Sequence, residues 1–417
     1  MTEVPHSGPQ PGPLAGIRVL DFTERMQGPY GTQILADFGA EVIKVERRVS
    51  LTVDGRPDER YGPNGRYGQD PADTSFYAAG FLAANRNKKS VTIDLKNDDG
   101  KAVVARLVEA SDVVYENFRP GVMERLGFGY EDCAKINPSV IYASAYGYGG
   151  DGPYARRPGQ DVLAQAVGGF GAMNVAADGR PMPVGMSITD LLGGMNGAIA
   201  VLAALRHRDR TGEGQRVEVN LLSSAIAAQS EQAVHYLNTE VGEPERRTEM
   251  HAHPYIPAPY GFYATKDGYL ALSSGRQIPE LSRILGIPDP SADPRFATPL
   301  ARNENREEFE SLLEEALQHR TTTEWMEVME PEGLFAAPVK SFGEAFTDEQ
   351  VTQQQMIATV DSPVGALKLP APPYRLSRTP ATVRTAPPRH GEHTDEVLES
   401  LGLTREEIDR LRRVEAI

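Results

Sequence analysis

A chain of 417 residues, 40% apolar and 24% charged, is long enough for a large core and for two or three domains. Its formal net charge of −15 excludes a global attraction to nucleic acid or to an anionic membrane, so an anionic ligand needs a local basic pocket. One cysteine, Cys133, excludes an intrachain disulfide and suits a reducing compartment.

The chain opens on "MTEVPHSGPQPGP", polar and proline-rich, without the charged start and apolar core of a secretory signal. "GIRVLDF" (16–22) then reads as a buried strand, "GTQILADFG" (31–39) as a helix ending at glycine, and "EVIKVE" (41–46) as a second strand. Strand, helix, strand predicts a parallel βαβ unit, and the pattern recurs. "SVTIDL" (90–95) is a strand, "DGKAVVARLVEAS" (99–111) an amphipathic helix, and "DVVYENF" (112–118) and "SVIYASAYG" (139–147) two more strands. The first half is thus expected to be a doubly wound α/β domain.

The run "GAIAVLAAL" (197–205) is too short to span a bilayer, and "RHRDRTGEGQR" (206–216) reads as a polar basic turn before the strand-like "VEVNLL" (217–222). These features predict a cytoplasmic protein. A helical stretch follows over roughly 222–240, and "GEPERRTE" (242–249) reads as an exposed linker. Residues 260–274 suggest a hairpin and 307–330 acidic helices, which fits a smaller α/β domain. The proline-dense stretch 367–402 is expected to run extended against the chain or a partner subunit before a last helix.

The residues also narrow the chemistry. A dinucleotide fingerprint would place G-x-G-x-x-G after the first strand, but the turn reads "TERMQGPYG"; a phosphate-binding G-x-x-x-x-G-K-[ST] loop is likewise missing. Asp190, in "VGMSITDLLGGMNGAIAVLAAL", stands before a long apolar run, where a carboxylate serves as a helix N-cap, with Ser187 placed for a capping box. His251 with His253, and His390 with His393, have metal-like spacing but no third convergent ligand, so no metal site is expected.

Taken together, "LAGIRVLDFT", "ADFGAEVIKVERR", "NRNKKSVTIDLK", "DVVYENFRPGVMERLGFGYE", "NPSVIYASAYGYGGDGP" and "GEHTDEVLESLG" resemble the class III CoA-transferases, a family that includes formyl-CoA transferase, carnitine CoA-transferase and α-methylacyl-CoA racemases. The likeness covers nearly the whole chain. It implies a Rossmann-like large α/β domain with a smaller α/β domain, in an interlinked homodimer of two ring-shaped subunits. Residues 1–221 would form the first part of the large, CoA-binding domain and 222–246 a linker. Residues 247–335 would form the small domain and 336–417 the return to the large one.

The resemblance further implies that Asp190 is a nucleophile. It would attack an acyl-CoA to give a mixed anhydride and then carry CoA as an aspartyl thioester, with no permanent cofactor beyond the CoA substrates. A helix N-terminus would favour its ionised form. Gly193, Gly194 and Gly197 would let backbone approach the thioester, or let helices pack closely. The family's CoA positions fall on Met26, Gln27, Arg47, Ile93, Asn117, Phe118, Arg119, Arg125 and Leu126, where guanidinium groups suit phosphate. Arg48, Lys88 and Lys89 are expected to be solvated surface charges.

Gln160 stands where the racemases of this family carry a histidine. Moving a proton across a carbon needs two titrating groups, and glutamine cannot titrate, so transfer is favoured over racemisation or epimerisation. A substrate-positioning role is left to Gln160, while Asp161 either positions the site or satisfies a buried loop. A silent CoA-binding subunit is the remaining alternative. The region "HAHPYIPAPYGFY" lacks the glycine-run loop of formyl-CoA transferase, and His251, His253, Tyr255 and Tyr260 either line an acyl pocket or decorate a loop.

Overall fold

The computed structural model describes residues 12–48, 79–176, 178–240, 252–362 and 365–417. The N-terminal lead, His251 and the stretch 242–249 lie outside the described residues. The chain divides into two compact units, the first from 1–168, 185–228 and 349–417, the second from 169–184 and 229–348. Residues 169–184, which the sequence suggests for the large domain, thus go with the second unit.

The first unit is built on six strands: β1 (Arg18–Asp21), β2 (Glu41–Glu46), β3 (Lys88–Thr92), β4 (Val113–Glu116), β5 (Ile141–Tyr146) and β6 (Gln215–Asn220). All neighbours pair in parallel, in the order β3-β2-β1-β4-β5-β6, the order of a doubly wound sheet. Because successive side chains point to opposite faces, each central strand feeds two cores. Leu20, Ile43, Val114 and Tyr142 face helix α2 (Asp98–Glu109) and the C-terminal helices. Val19, Val42, Val113 and Ile141 face helices α1 (Gln27–Asp37) and α4 (Ile188–Thr211). Helices α3 (Asp161–Val167) and α5 (Leu221–Ala228) pack against α4.

Helix α4 corrects two expectations. Residues 206–211 continue the helix rather than forming a turn, which begins only at Gly212 in a left-handed conformation (φ 79°). At 24 residues, α4 is long and apolar enough to cross a membrane by length and composition. One of its faces nevertheless packs on the sheet through Ala198, Val201, Ala204 and Leu205.

The proline-dense stretch lies against the first unit itself. Strands β10 (Ile357–Ser362) and β11 (Gly365–Pro370) form a hairpin. The chain then runs along α1 and β3, where the Asn87 side chain accepts from the Arg384 and Thr385 N–H groups and donates to the Thr382 carbonyl. Helices α6 (Thr394–Ser400) and α7 (Arg405–Arg413) close the first core with Val397, Leu398, Ile408, Leu411 and the terminal Ile417.

In the second unit, strands β7 (Gly261–Ala264), β8 (Tyr269–Leu272) and β9 (Ala336–Pro338) form an antiparallel sheet, so the predicted hairpin gains a third strand. The acidic helices Arg306–Leu317 and Thr322–Met329 cover its own core, centred on Phe309, Trp325 and Met329. The connection expected after residue 222 forms α5 and the helix Ser230–Asn238.

Candidate active site

A parallel sheet offers its ligand crevice at the carboxyl ends of the strands, where the order reverses between β1 and β4. Two cavities of the first unit lie there. One, of about 680 Å³, is lined by segments after β1, β2, β3 and β4, among them Arg47, Arg48, Ile93, Lys96 and Leu126. The other, of about 660 Å³, is lined from the segments after β1, β4 and β5 and holds Gln160 and Asp190. Phe118 and Arg119 line both.

The loops are held from beneath by buried charge. Lys88 is 2% exposed, contrary to the surface position expected of it; its Nζ donates to Asp21 (3.0 Å), the Pro29 carbonyl (2.9 Å) and Asn85 (3.0 Å). Burial pushes this ammonium down to about 8, with Asp21 opposing the shift. Asp21 also accepts from the Thr23 and Thr32 hydroxyls, which ties the start of the β1–α1 turn to α1. Asn117 Oδ1 accepts from the Glu24 N–H and its Nδ2 donates to the Glu24 carbonyl, both at 2.8 Å, which locks the turns after β1 and β4 together. Under that turn, the buried Glu116 accepts from the Phe118 N–H at 2.9 Å, and burial pushes its carboxyl up to about 7.

Asp190 sits in the first turn of α4, half-buried, three residues past the N-cap position, which Ser187 fills without a side-chain hydrogen bond. The capping reading is therefore corrected: the cap comes from another helix. Asp161, the first residue of α3, accepts from the Thr189 N–H and hydroxyl, both at 2.7 Å, and from the Asp190 N–H at 3.4 Å. Its other oxygen accepts from Gln165 at 2.6 Å. Asp161 satisfies the helix start and at the same time places a second carboxylate beside Asp190. Burial first, and the charge of Asp161 second, push the Asp190 carboxyl up to about 7. These two effects outweigh the pull of the helix N-terminus toward the anion.

The glycines pack closely against α1, one of the two roles the sequence leaves open for them. A Cβ on Gly193 would come within 2.7 Å of Gln27 Nε2, one on Gly194 within 2.6 Å of the Gln27 carbonyl, and one on Gly197 within 1.7 Å of the Tyr115 hydroxyl. Helices α1 and α4 therefore meet backbone to backbone, and Gln27 keeps its place in the lining of the Asp190 cavity.

The sequence model of CoA-transferase family III matches residues 14–394. The chain belongs to that family. The transferase is 36% identical to a succinate–glutarate CoA-transferase of Agrobacterium fabrum over 96% of this chain and 98% of that protein. It is 35% identical to a succinyl-CoA:glutarate CoA-transferase of Mus musculus over 93% of this chain and 86% of that protein. A solved structure from Brucella suis, described as a CAIB/BAIF family protein, matches with a TM-score of 0.80 at 33% identity over 94% of this chain and all of the other.

Within the transferase, Gln27, Asn117, Phe118, Arg119, Gln160 and Asp190 gather at one cavity, and Arg47, Ile93, Phe118, Arg119 and Leu126 at the other. Met26 and Arg125 line neither: Met26 is the N-cap of α1, and Arg125 stands exposed beside Gly121. Arg48, expected as a surface charge, joins the first lining with Lys96. The second lining also holds Arg25 on the β1–α1 turn, Tyr146 at the end of β5, and Tyr148 and Arg157 on the loop that follows, residues whose sequence signal is their place at or beyond the carboxyl ends of β1 and β5. His253 packs with Tyr255 and Tyr260 in the second unit and hydrogen-bonds Gln232. His390 donates to the Arg47 carbonyl, and His393 accepts from the Ser90 N–H. Among the described residues, no group of three His, Cys, Asp or Glu is placed to hold a metal.

Proposed function

We propose that the transferase moves CoA from an acyl-CoA to a free carboxylic acid through covalent intermediates on Asp190. The observation that carries this reading is Asp190 itself: a half-buried carboxylate, poised near neutrality, in a cavity that shares Phe118 and Arg119 with a second, cation-bearing cavity. The second cavity suits the nucleotide end of CoA, with Arg47, Arg48, Lys96 and Arg119 for phosphates and Ile93, Phe118 and Leu126 for apolar contact. The sheet is then a Rossmann-like CoA-binding domain.

The Asp190 carboxylate attacks the thioester carbonyl, and CoA leaves as its thiolate, which gives a mixed anhydride. The thiolate attacks the aspartyl carbonyl and expels the donor acid as a carboxylate, leaving an aspartyl-CoA thioester. An acceptor carboxylate attacks that carbonyl, releases the thiolate and forms a second anhydride. The thiolate takes the acceptor's acyl carbon and frees Asp190. Each step exchanges acyl bonds of similar energy, so the thioester is conserved as long as water is kept out. Gln160, exposed to the same cavity, offers an amide for a substrate carbonyl or carboxylate and no proton for racemisation.

Relatives named for succinate and glutarate favour a dicarboxylic acid as donor or acceptor. A homodimer is supported by exposed apolar side chains on three packed helices: Val162 and Val167 on α3, Met195 and Ile199 on α4, and Ile226 on α5. The test of the mechanism is trapping. Incubation with acyl-CoA and then hydroxylamine should modify Asp190, and Asp190→Ala should lose both the modification and CoA exchange. Exchange that persists in a folded Asp190→Ala variant overturns the reading.

A further inference from the structure

We propose that Arg157 forms the subsite for the remote carboxylate of a dicarboxylic acyl group bound in the Asp190 cavity, an inference that deepens the transferase reading and rests on it. Arg157 lines the same cavity as Asp190 and Gln160, on the loop between β5 and α3. Its guanidinium carbon stands 3.7 Å from the centroid of the Tyr154 ring, and Tyr154 packs edge-on against Tyr148 at 5.8 Å. Tyr148 belongs to the cavity wall as well. A guanidinium laid over a ring is fixed in plane while its N–H fork points sideways, the pre-organisation that bidentate capture of a carboxylate requires.

Charge balance argues for an anionic partner. Among the described residues Arg157 makes no ion pair, whereas Arg47 pairs with Glu24, Arg208 with Asp112 and Arg216 with Glu218. Of the two acids in the cavity wall, Asp161 is engaged by Thr189 and Gln165, and Asp190 must stay available for attack. A substrate with one carboxyl group presents no charge beyond its reacting end. A dicarboxylic acyl group brings a second, unreactive anion into a cavity that already holds two carboxylates, and it needs a cation to offset the repulsion.

Two other arginines line the cavity. Arg119 also lines the neighbouring one and so stands where CoA passes between them. Arg25 lies on the β1–α1 turn with a left-handed backbone (φ 67°) and has interactions of its own. Arg157 is the one laid over an aromatic ring, and it lines the Asp190 cavity without lining the neighbouring one.

The experiment compares succinyl-CoA with butyryl-CoA, and glutaryl-CoA with pentanoyl-CoA, as donors to a common acceptor. The ratio of kcat/KM within each pair is read by mass detection of the exchanged thioesters. The wild-type protein should favour the diacid, and Arg157→Met should lower the diacid-to-monoacid ratio by roughly 10- to 100-fold, as loss of a charged hydrogen-bonded pair does. Arg157→Lys should restore part of the ratio, Tyr154→Leu should lower it less than Arg157→Met, and Arg156→Met, at the exposed neighbour outside the cavity, should leave it unchanged. The proposal is overturned if the wild type shows no diacid preference, or if a folded Arg157→Met variant keeps the wild-type ratio or loses both donors in equal measure. Should no donor exchange in the wild type, the transferase reading fails separately, and the subsite is then read from the Kd of succinyl-CoA against butyryl-CoA in the wild type and Arg157→Met. Equal affinity ratios there overturn it.

Discussion

At the scale of single residues, the protonation of Asp190 links stability and activity with opposite signs. Its carboxyl goes from the ordinary 3.8 of an unfolded chain to about 7 in the fold. Between those values the native state holds the proton more tightly, so stability falls as pH rises through the window and is level outside it. Asp190→Asn carries no such slope. The variant should match the wild type near pH 4 and gain on it steadily until about pH 7, as read from urea midpoints across pH. Glu116, also raised to about 7, bends both curves alike and drops out of the difference. Activity runs the other way, because the attacking group must be ionised: kcat/KM should rise about tenfold per pH unit below about 7 and level off above. Asp161→Asn keeps an acceptor for the Thr189 N–H but removes the neighbouring charge, so it should shift that break to lower pH. A break that stays in place in this variant would remove Asp161 from the account.

At the scale of elements, the contact between α1 and α4 is too close for a Cβ at Gly31, Gly193, Gly194 or Gly197. The Tyr115 hydroxyl, buried without a hydrogen-bond partner among the described residues, lies 1.7 Å from where a Cβ on Gly197 would sit, and a Cβ on Gly31 would come within 2.8 Å of the Gly194 carbonyl and 2.9 Å of the same hydroxyl. Gly197→Ala should cost about 1–3 kcal/mol or more by overpacking, measured by denaturant unfolding. Tyr115→Phe removes an unsatisfied polar group and should be neutral or stabilising, and it should recover part of the loss in the double variant. An additive double variant would show that the hydroxyl is not what Gly197 accommodates. This contact also marks what sequence could and could not reveal. Strands such as Val113–Glu116 are apolar on both faces and were legible as buried strands, because a parallel sheet covered on both sides needs that composition. The role of Gly197 was not, since the tyrosine that fills its place is in β4, far along the chain. Lys88 looked like a surface charge for the same reason: its partner Asp21 lies 67 residues away. Asp190 is legible through its motif, but its cap is not, because Asp161 reaches it from a separate helix.

At the scale of the whole molecule, the exposed apolar side chains of α3, α4 and α5 set the expectation for assembly. Ile199 is 61% exposed, and Met195, one helical turn away on the same face, is 38% exposed. Such a surface on packed helices is costly to leave in water, and a second copy of the chain is the occupant proposed for it. Light scattering should therefore give twice the chain mass of 45.5 kDa. If the two subunits are interlinked as the sequence resemblance implies, separation requires one ring to open, so dilution to nanomolar concentration should leave the dimer intact where an ordinary face-to-face dimer would dissociate. Ile199→Glu should then lower the unfolding temperature or the yield of folded protein rather than release a well-folded monomer. A stable, active species of 45.5 kDa, from either the wild type or this variant, would show that the apolar face has another use and that the site is complete within one chain.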